Sequence, residues 1–134
     1  MTVKIGIIGL GQIGASIGLA LARRKDQVTT IGYDKSAEVT RKAHKLEVVE
    51  NFAHNLYDCI KEADLVILAL PIDQVYETLA RLRTTGTSLL IVEQQVSNAL
   101  ELCDRAVLLG HGRVDWSGPT SEASAVIHSE FEPG

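Results

Sequence analysis

The fold is decided near the start of the chain, by the stretch Gly9-Leu10-Gly11-Gln12-Ile13-Gly14. It fits the pattern G-x-G-x-x-G, follows an apolar strand predicted over Val3 to Ile8, and opens a helix predicted over about 13–24. A nearly continuous apolar run of this kind is typical of a strand buried on both faces of a parallel sheet. Each glycine has a separate task, because the first allows a tight turn, the second lets the backbone approach a ligand, and the third lets the helix pack closely on the strand.

A carboxylate completes this pattern. Asp34 lies 20 residues after Gly14, at the end of the next predicted strand, Val28 to Tyr33. There a carboxylate accepts hydrogen bonds from both ribose hydroxyls of an adenosine, while the helix N-terminus attracts a pyrophosphate. The pattern therefore predicts a dinucleotide-binding turn that includes Gln12 and Ile13. The acid repels a 2′-phosphate and so favours NAD(H) over NADP(H), a preference that the charge of Lys35 softens. The alternative is that the glycines only tighten a corner in a fold that binds nothing.

The rest of the chain alternates short apolar runs with helical patterns. This alternation predicts an α/β fold, a three-layer, doubly wound and mostly parallel Rossmann-like sheet of about six strands with a C-terminal hairpin. Further strands are predicted over 46–50, 65–70, 88–92 and 106–109, and further helices over 36–45, 57–62, 73–83 and 96–103. Leu70 and Pro71, at the end of the strand over 65–70, are predicted to lie where a nicotinamide ribose would pass. We expect one domain over 1–134 with a loose tail over 120–134.

Composition limits the function classes. The 134 residues are 46% hydrophobic and 22% charged, which is typical of a globular chain and excludes a disordered one. A net charge of −4 argues against a nucleic-acid groove and against binding to an anionic membrane. The order of apolar and basic residues at the start is wrong for a secretory signal, so we expect a cytoplasmic protein. Cys59 and Cys103 are predicted to be buried thiols. The spacing of the four histidines predicts no metal site; they are His44, His54, His111 and His128.

The first half resembles a known enzyme family. From Lys4 to about Leu79 the sequence resembles the nucleotide-binding domain of prephenate and arogenate dehydrogenases. The segments that carry the resemblance are 5–16, then Gly32-Tyr33-Asp34, then 63–72 with its Leu-Ala-Leu-Pro-Ile end. The resemblance implies an NAD cofactor. It implies no catalytic residue here, because neither Ser97 nor His111 has the surroundings that the family places around its catalytic groups.

The second half resembles another family. From Leu79 to about Pro119 the sequence is similar to the C-terminal part of ABC transporter ATP-binding subunits of the branched-chain amino acid type. The segments are 86–96, with its Val-Glu-Gln, then 99–109, then His-Gly-Arg-Val and Ser-Gly-Pro. The resemblance implies that Gln94 occupies the position that senses a γ-phosphate. The Walker A loop, the signature segment and the Walker B acid have no counterparts here, so ATP hydrolysis is not expected. Glu93 and Gln94 can equally be solvated residues at a strand end.

Together the two resemblances predict a hybrid, joined near 73–86 and more readily explained by engineering than by descent. Such a protein would have residual NAD(H) binding or none, and no complete catalytic site. Two alternatives stay open. One is an NAD-dependent oxidoreductase of the prephenate or arogenate dehydrogenase type. The other is an ABC-type ATP-binding fragment. We expect a dinucleotide as the ligand and a monomer or weak homodimer in solution.

Overall fold

The protein is described here from a computed structural model. It describes residues 2–70, 80, 82, 84, 86–93, 100, 101 and 103–130, without the side chains of 128–130. The strands are β1 (Val3–Ile8), β2 (Val28–Tyr33), β3 (Asn51–Phe52), β4 (Leu65–Leu68), β5 (Ser88–Ile91), β6 (Arg105–Gly110) and β7 (Arg113–Pro119). The helices are α1 (Gln12–Leu21), continued by a 3-10 turn over Ala22–Arg24, then α2 (Ala37–Lys45), α3 (Leu56–Ile60) and α4 (Thr120–Glu130). Contacts divide the chain into two units, Met1–Glu93 and Gln94–Gly134.

The first unit is built on a parallel sheet with the strand order β3-β2-β1-β4-β5. Each of its four strand pairs is parallel. The order reverses between β1 and β4, and ligands of such sheets bind where the carboxyl ends of strands meet at a reversal of this kind. This confirms the predicted α/β, Rossmann-like class. The sheet has five strands within the described residues rather than about six, because the predicted strand over 106–109 is part of β6 and pairs with β7 instead.

The core of this unit lies along the sheet. β1 and β4 supply its most deeply buried side chains, with Ile7 and Val66 both fully covered. One cluster of buried apolar residues contains Ile5, Ile7, Leu10, Ala43, Val48, Val49 and Ile67. A central parallel strand can therefore be apolar at nearly every position, as β1 is, because both of its faces are covered.

One predicted strand is wrong. The apolar segment over 46–50 is a helix ending, and the strand β3 follows it at Asn51–Phe52. The backbone N–H of Glu47 donates to the carbonyl of His44, and that of Val48 donates to the carbonyl of Ala43. These two bonds define a Schellman ending of α2, with Glu47 in the left-handed region at φ 60°. Val48 and Val49 are buried because this turn directs them into the core.

The second unit contains a hairpin and a helix. β6 and β7 pair as antiparallel strands around a turn in which His111 (φ 50°) and Gly112 (φ 77°) both have positive φ. Two positive φ values define the primed turn that matches strand twist, which confirms the predicted hairpin. The register shifts after Leu108, which leaves Asp115 as an extra residue in β7. Trp116 is half-buried, and its ring lies over Gly118.

The segment predicted as a loose tail contains α4, whose 11 residues run over Thr120–Glu130. The start of α4 is hydrogen-bonded to the residues that precede β6, because the Thr120 hydroxyl donates to the carbonyl of Cys103 at 2.9 Å. The Thr120 N–H also donates to the carbonyl of Asp104 at 3.0 Å. A tertiary anchor of this kind is invisible to helix propensity alone. Residues 131–134 lie outside the described residues.

Some predictions concern segments that the structure describes only in part. In the helix predicted over 73–83, the structure describes Ala80 and Leu82, and both are helical. In the helix predicted over 96–103, Leu100 and Glu101 are helical. The predicted join near 73–86 falls mostly outside the described residues. The expected single domain over 1–134 stays a prediction beside the division into two units. In the described part of the chain, no helix is both long and apolar enough to cross a membrane.

Candidate dinucleotide-binding site

The glycine loop lies at the carboxyl end of β1, beside the end of β4. Gly9 has φ 92°, and its N–H donates to the carbonyl of Tyr33 at 2.8 Å. A Cβ added at Gly9 would lie 2.7 Å from the carbonyl oxygen of Ala69, closer than any side chain tolerates. The first glycine is therefore required both by the left-handed backbone and by the approach of the neighbouring strand end.

The third glycine is required by packing. Gly14 is buried in the first turn of α1, and a Cβ there would overlap the carbonyl oxygen of Gly9. Gly11 is different, because it is exposed and a Cβ built on it meets no heavy atom within 4 Å. Its backbone is the N-cap of α1, with no side-chain cap on the first turn. The N-terminus of a helix that has no side-chain cap favours the binding of a phosphate.

Asp34 is held against the loop. Its Oδ2 accepts the backbone N–H of Leu10 at 2.9 Å, and its Oδ1 accepts the N–H of Ser36 at 3.0 Å. The side chain is half-buried, so the carboxylate is oriented and still reachable. Each carboxylate oxygen has a second lone pair, which leaves acceptor capacity for two ribose hydroxyls. The structure thus brings the glycine loop and Asp34 together, as the sequence pattern predicts.

A small cavity opens beside Asp34 and is called the Asp34 pocket below. Its volume is about 160 Å³, and its lining is Tyr33, Asp34, Lys35, Ala37, Thr40, Arg41, Phe52, Ala53 and His54. It lies at the carboxyl end of β2, where the adenosine half of a dinucleotide would extend from the loop. Lys35 and Arg41 give this pocket two cationic groups beside its single acid.

The remaining predicted residues lie around the same strand ends. Gln12 and Ile13 are exposed in the first turn of α1, with Ile13 49% accessible. Leu70 follows β4 and is half-buried, and a Cβ added at Gly9 would lie 2.8 Å from its Cγ. Leu70 therefore lies beside the glycine loop. Pro71 lies outside the described residues.

A larger cavity, of about 390 Å³, lies away from these residues. Its lining includes Val28 and Thr30 near the start of β2, together with Lys25, Lys45 and Glu47. Ligands of doubly wound sheets bind at the carboxyl ends of the strands, and this cavity lies toward the opposite end. We therefore place the candidate site at the glycine loop, although the cavity there is smaller.

Gln94, Ser97 and the side chain of His128 lie outside the described part of the chain. In the described residues no group of three histidine, cysteine or acidic side chains is placed to hold a metal. The rings of His44 and His54 pack on Phe52, with centroids 4.9 and 5.2 Å from it. Burial raises the pKa of the Cys59 thiol from 9.0 to about 12, which keeps it protonated and unreactive. Cys103 is only half-buried, against the prediction that both cysteines are buried.

Sequence reasoning missed two contributors to the site. The first is the backbone N–H of Leu10, which joins the loop to Asp34 and leaves no trace in residue type. The second is Thr40, a buried residue whose hydroxyl contacts the turn that carries Asp34. One signal was available, since Ser36 predicts a helix cap and Thr40 follows it one turn later.

The sheet reverses its strand order between β1 and β4, and a glycine loop and an oriented acid lie at the ends of β1 and β2. These features define the dinucleotide-binding class of α/β domain. Comparison with family models identifies its relatives. Residues 17–99 match the family described as "Prephenate dehydrogenase, nucleotide-binding domain". The chain belongs to this family. The match continues to residue 99, beyond Leu79, where the sequence resemblance was expected to end.

Similar proteins extend this finding. A cyclohexadienyl dehydrogenase of Zymomonas mobilis is 41% identical over 68 residues, which are 51% of this chain and 23% of that protein. The arogenate dehydrogenase structure from Synechocystis has 25% identity and a TM-score of 0.62, covering 82% of this chain and 42% of that one. The prephenate dehydrogenase of A. aeolicus, solved in complex with hydroxyphenyl propionate and NAD+, has a TM-score of 0.62 at 21% identity, covering 88% and 45%.

A different similarity is also present. The high-affinity branched-chain amino acid transport ATP-binding protein BraG of Pseudomonas aeruginosa is 36% identical over 55 residues, 41% of this chain and 24% of that protein. The chain thus spans about a quarter of the length of these curated relatives. The similarity to ABC ATP-binding proteins agrees with the second sequence resemblance. It does not establish that the chain is a hybrid.

Proposed function

We propose that this domain binds NAD(H) and is the cofactor-binding part of an oxidoreductase of the prephenate or arogenate dehydrogenase type. The observation that carries the proposal is the bond from the Leu10 N–H to Asp34, which joins the glycine loop to the ribose-binding acid. Family membership supports the same reading. It is therefore better supported than a hybrid that has lost its ligand.

The residues present fit the two halves of the cofactor. Gly11 and the first turn of α1 would hold the pyrophosphate, because Gly11 is exposed, no described side chain caps this turn, and the N-terminus of a helix favours an anion. Asp34 would hold the adenosine ribose with its remaining lone pairs. Leu70, beside Gly9, would border the path toward the nicotinamide.

The chemistry divides between cofactor and protein. Bound NAD+ supplies the hydride acceptor for oxidation of a substrate alcohol. The domain's own residues bind and orient the dinucleotide, and none of the described residues is assigned a catalytic role. In this proposal the groups that bind the substrate and take its proton come from outside the part of the chain described here.

The cofactor preference follows from charge. Asp34 disfavours a 2′-phosphate, whereas Lys35 and Arg41 in the lining of the same pocket offset part of that repulsion. We expect NAD(H) to bind more tightly than NADP(H). The ratio of the two affinities should be smaller than Asp34 would give without the two neighbouring cations. A calorimetric titration of the chain with NAD+, NADH, NADP+ and NADPH measures this ratio. Absence of saturable binding by NAD+ and NADH would contradict the proposal.

A second candidate rests on the similarity to BraG. In it the chain joins a dehydrogenase nucleotide-binding domain to the C-terminal part of an ABC ATP-binding subunit, by natural or deliberate recombination. The similarity to BraG over 55 residues is the observation that favours this candidate. If this candidate is right, the chain hydrolyses no ATP and oxidises no prephenate. Titration with ATP and magnesium separates it from a functional ATP-binding fragment, which would bind the nucleotide.

A further inference from the structure

We propose that Thr40 is a positioning residue for dinucleotide binding. Its hydroxyl fixes the turn that carries Asp34, and Asp34 in turn fixes the glycine loop. The inference rests on the proposed function, because it explains how that site is held in shape before a cofactor arrives.

The Thr40 side chain is buried, with 4% of its surface accessible. Its hydroxyl oxygen accepts the backbone N–H of Asp34 at 3.1 Å. The hydroxyl hydrogen has two acceptors in reach, the carbonyl of Ser36 at 3.1 Å and that of Asp34 at 3.3 Å. One hydroxyl therefore binds both the N–H and the carbonyl side of the residue that recognises ribose.

The connection continues into the loop through Asp34 itself. Its Oδ1 accepts the N–H of Ser36, the residue that caps α2, and its Oδ2 accepts the N–H of Leu10. Leu10 lies between the first two glycines of the motif and is 4% accessible. A rotation of the turn at Asp34 would remove the acceptor from Leu10, and the loop would lose a bond that its own sequence cannot supply.

Packing alone does not require a hydroxyl at this position. A threonine inside a helix commonly donates to the carbonyl four residues earlier, which here is Ser36. The bond from the Asp34 N–H is additional, since it holds a residue outside the helix. A valine would fill the same volume and lose both bonds, which makes Thr40→Val and Thr40→Ser a matched pair of variants.

The first experiment measures NAD+ affinity by calorimetry. We expect Thr40→Val to weaken binding about tenfold, the effect of losing one hydrogen bond to a buried partner. Thr40→Ser keeps the hydroxyl, and we expect it to restore the affinity to within about twofold of the original. Thr40→Ala serves as a second hydroxyl-free variant if Thr40→Val folds poorly. Equal weakening by Thr40→Ser and Thr40→Val would overturn the proposal, because the hydroxyl would then have no special part.

The second experiment asks whether Thr40 acts through Asp34. In an Asp34→Ala background, we expect Thr40→Val to leave NAD+ affinity unchanged, although it still lowers the free energy of unfolding. Such non-additivity is the signature of two residues in one network. A merely structural role for Thr40 would give the same loss of affinity in both backgrounds, which would overturn the proposal.

A third measurement needs no cofactor and separates this inference from the proposed function. Native-state hydrogen exchange at the Leu10 amide reports on its bond to Asp34. We expect faster exchange in Thr40→Val, unchanged exchange in Thr40→Ser, and unchanged exchange of the β1 and β4 amides in both. If the unmodified chain does not bind NAD+, the proposed function fails, and with it any role in binding. If Leu10 exchange is unchanged in Thr40→Val, the positioning role fails whether or not NAD+ binds.

Discussion

The parallel sheet and the hairpin use strands of similar composition in different ways. In the sheet, Ile7 is fully buried and Ile8 nearly so, because helices and neighbouring strands cover both faces. In the hairpin, exposed and half-buried side chains alternate along β6, and Leu109 keeps 69% of its surface accessible. A two-stranded ribbon is marginal by itself, whereas a covered sheet supports stiff loops at its strand ends. The candidate site lies on the covered sheet.

The largest expected effect tests this difference in burial directly. Ile7→Ala should lower the free energy of unfolding by about 2–5 kcal/mol, because it leaves a cavity in the core. The matched change Leu109→Ala should alter it by no more than about 0.5 kcal/mol, since that side chain is already in solvent. Urea denaturation followed by circular dichroism measures both. Similar losses for the two variants would show that the hairpin face is covered in solution.

The same contrast between buried and exposed backbone recurs within the glycine loop. Gly14→Ala should lower the free energy of unfolding by about 1–3 kcal/mol, because its methyl group overlaps the Gly9 carbonyl. Gly11→Ala should leave the fold intact and weaken NAD(H) binding, because its methyl group occupies the space that the pyrophosphate needs. Denaturation and calorimetric titration on both variants separate the two effects. An unchanged NAD(H) affinity in Gly11→Ala would contradict the proposed phosphate position.

A third test compares the two thiols. The folded protein favours the protonated form of Cys59, whose pKa is about 12 against 9.0 when unfolded. Its contribution to stability is therefore fully present below pH 9 and is lost as the pH rises from 9 toward 12. Cys59→Ala should remove that part of the pH dependence of unfolding. At neutral pH, iodoacetamide should modify the half-buried Cys103 before Cys59, and the opposite order would place Cys59 in a more open setting.

The smallest expected effect concerns the hairpin turn. His111 adopts φ 50°, where asparagine is more comfortable, and Asn-Gly is the preferred pair for this turn. His111→Asn should stabilise the hairpin by about 0.5 kcal/mol. Fluorescence of Trp116, the single tryptophan, follows hairpin unfolding. A loss of stability would indicate that the His111 side chain makes a contact that the turn geometry does not require.

Sequence reasoning recovered most of the sheet because buried parallel strands and glycine turns are locally encoded. β1, β2 and β5 fall where apolar runs predict them. The helix predicted over 36–45 is α2, which Ser36 caps by accepting the Val39 N–H with its hydroxyl. The failures arose where local backbone geometry decides and the residue types alone do not reveal it. The strand predicted over 46–50 is a helix ending because Glu47 tolerates positive φ, and β6 left the sheet by pairing locally with β7.

The candidate site followed the same rule. Gly9, Gly14 and Asp34 were predictable because their tasks impose residue types, and the structure places them at the adjacent ends of β1 and β2. The bond that joins them was not predictable, since the Leu10 N–H belongs to the backbone and would be present with almost any side chain. The role of Thr40 was not predictable, because the sequence does not distinguish a threonine that bonds to a residue outside its helix from one that bonds only within it.

The close packing of α1 has a consequence for how such a domain can change over generations. Gly18 approaches Val48 so closely that an added Cβ would lie 2.5 Å from its carbonyl oxygen, and Gly14 is equally confined. Gln12 and Ser16, on the same helix, are exposed. Selection can therefore alter the exposed side chains of α1 at little structural cost while the glycines stay fixed. Substitutions that change what α1 presents to solvent thus leave its packing against the sheet and the turn at Val48 intact.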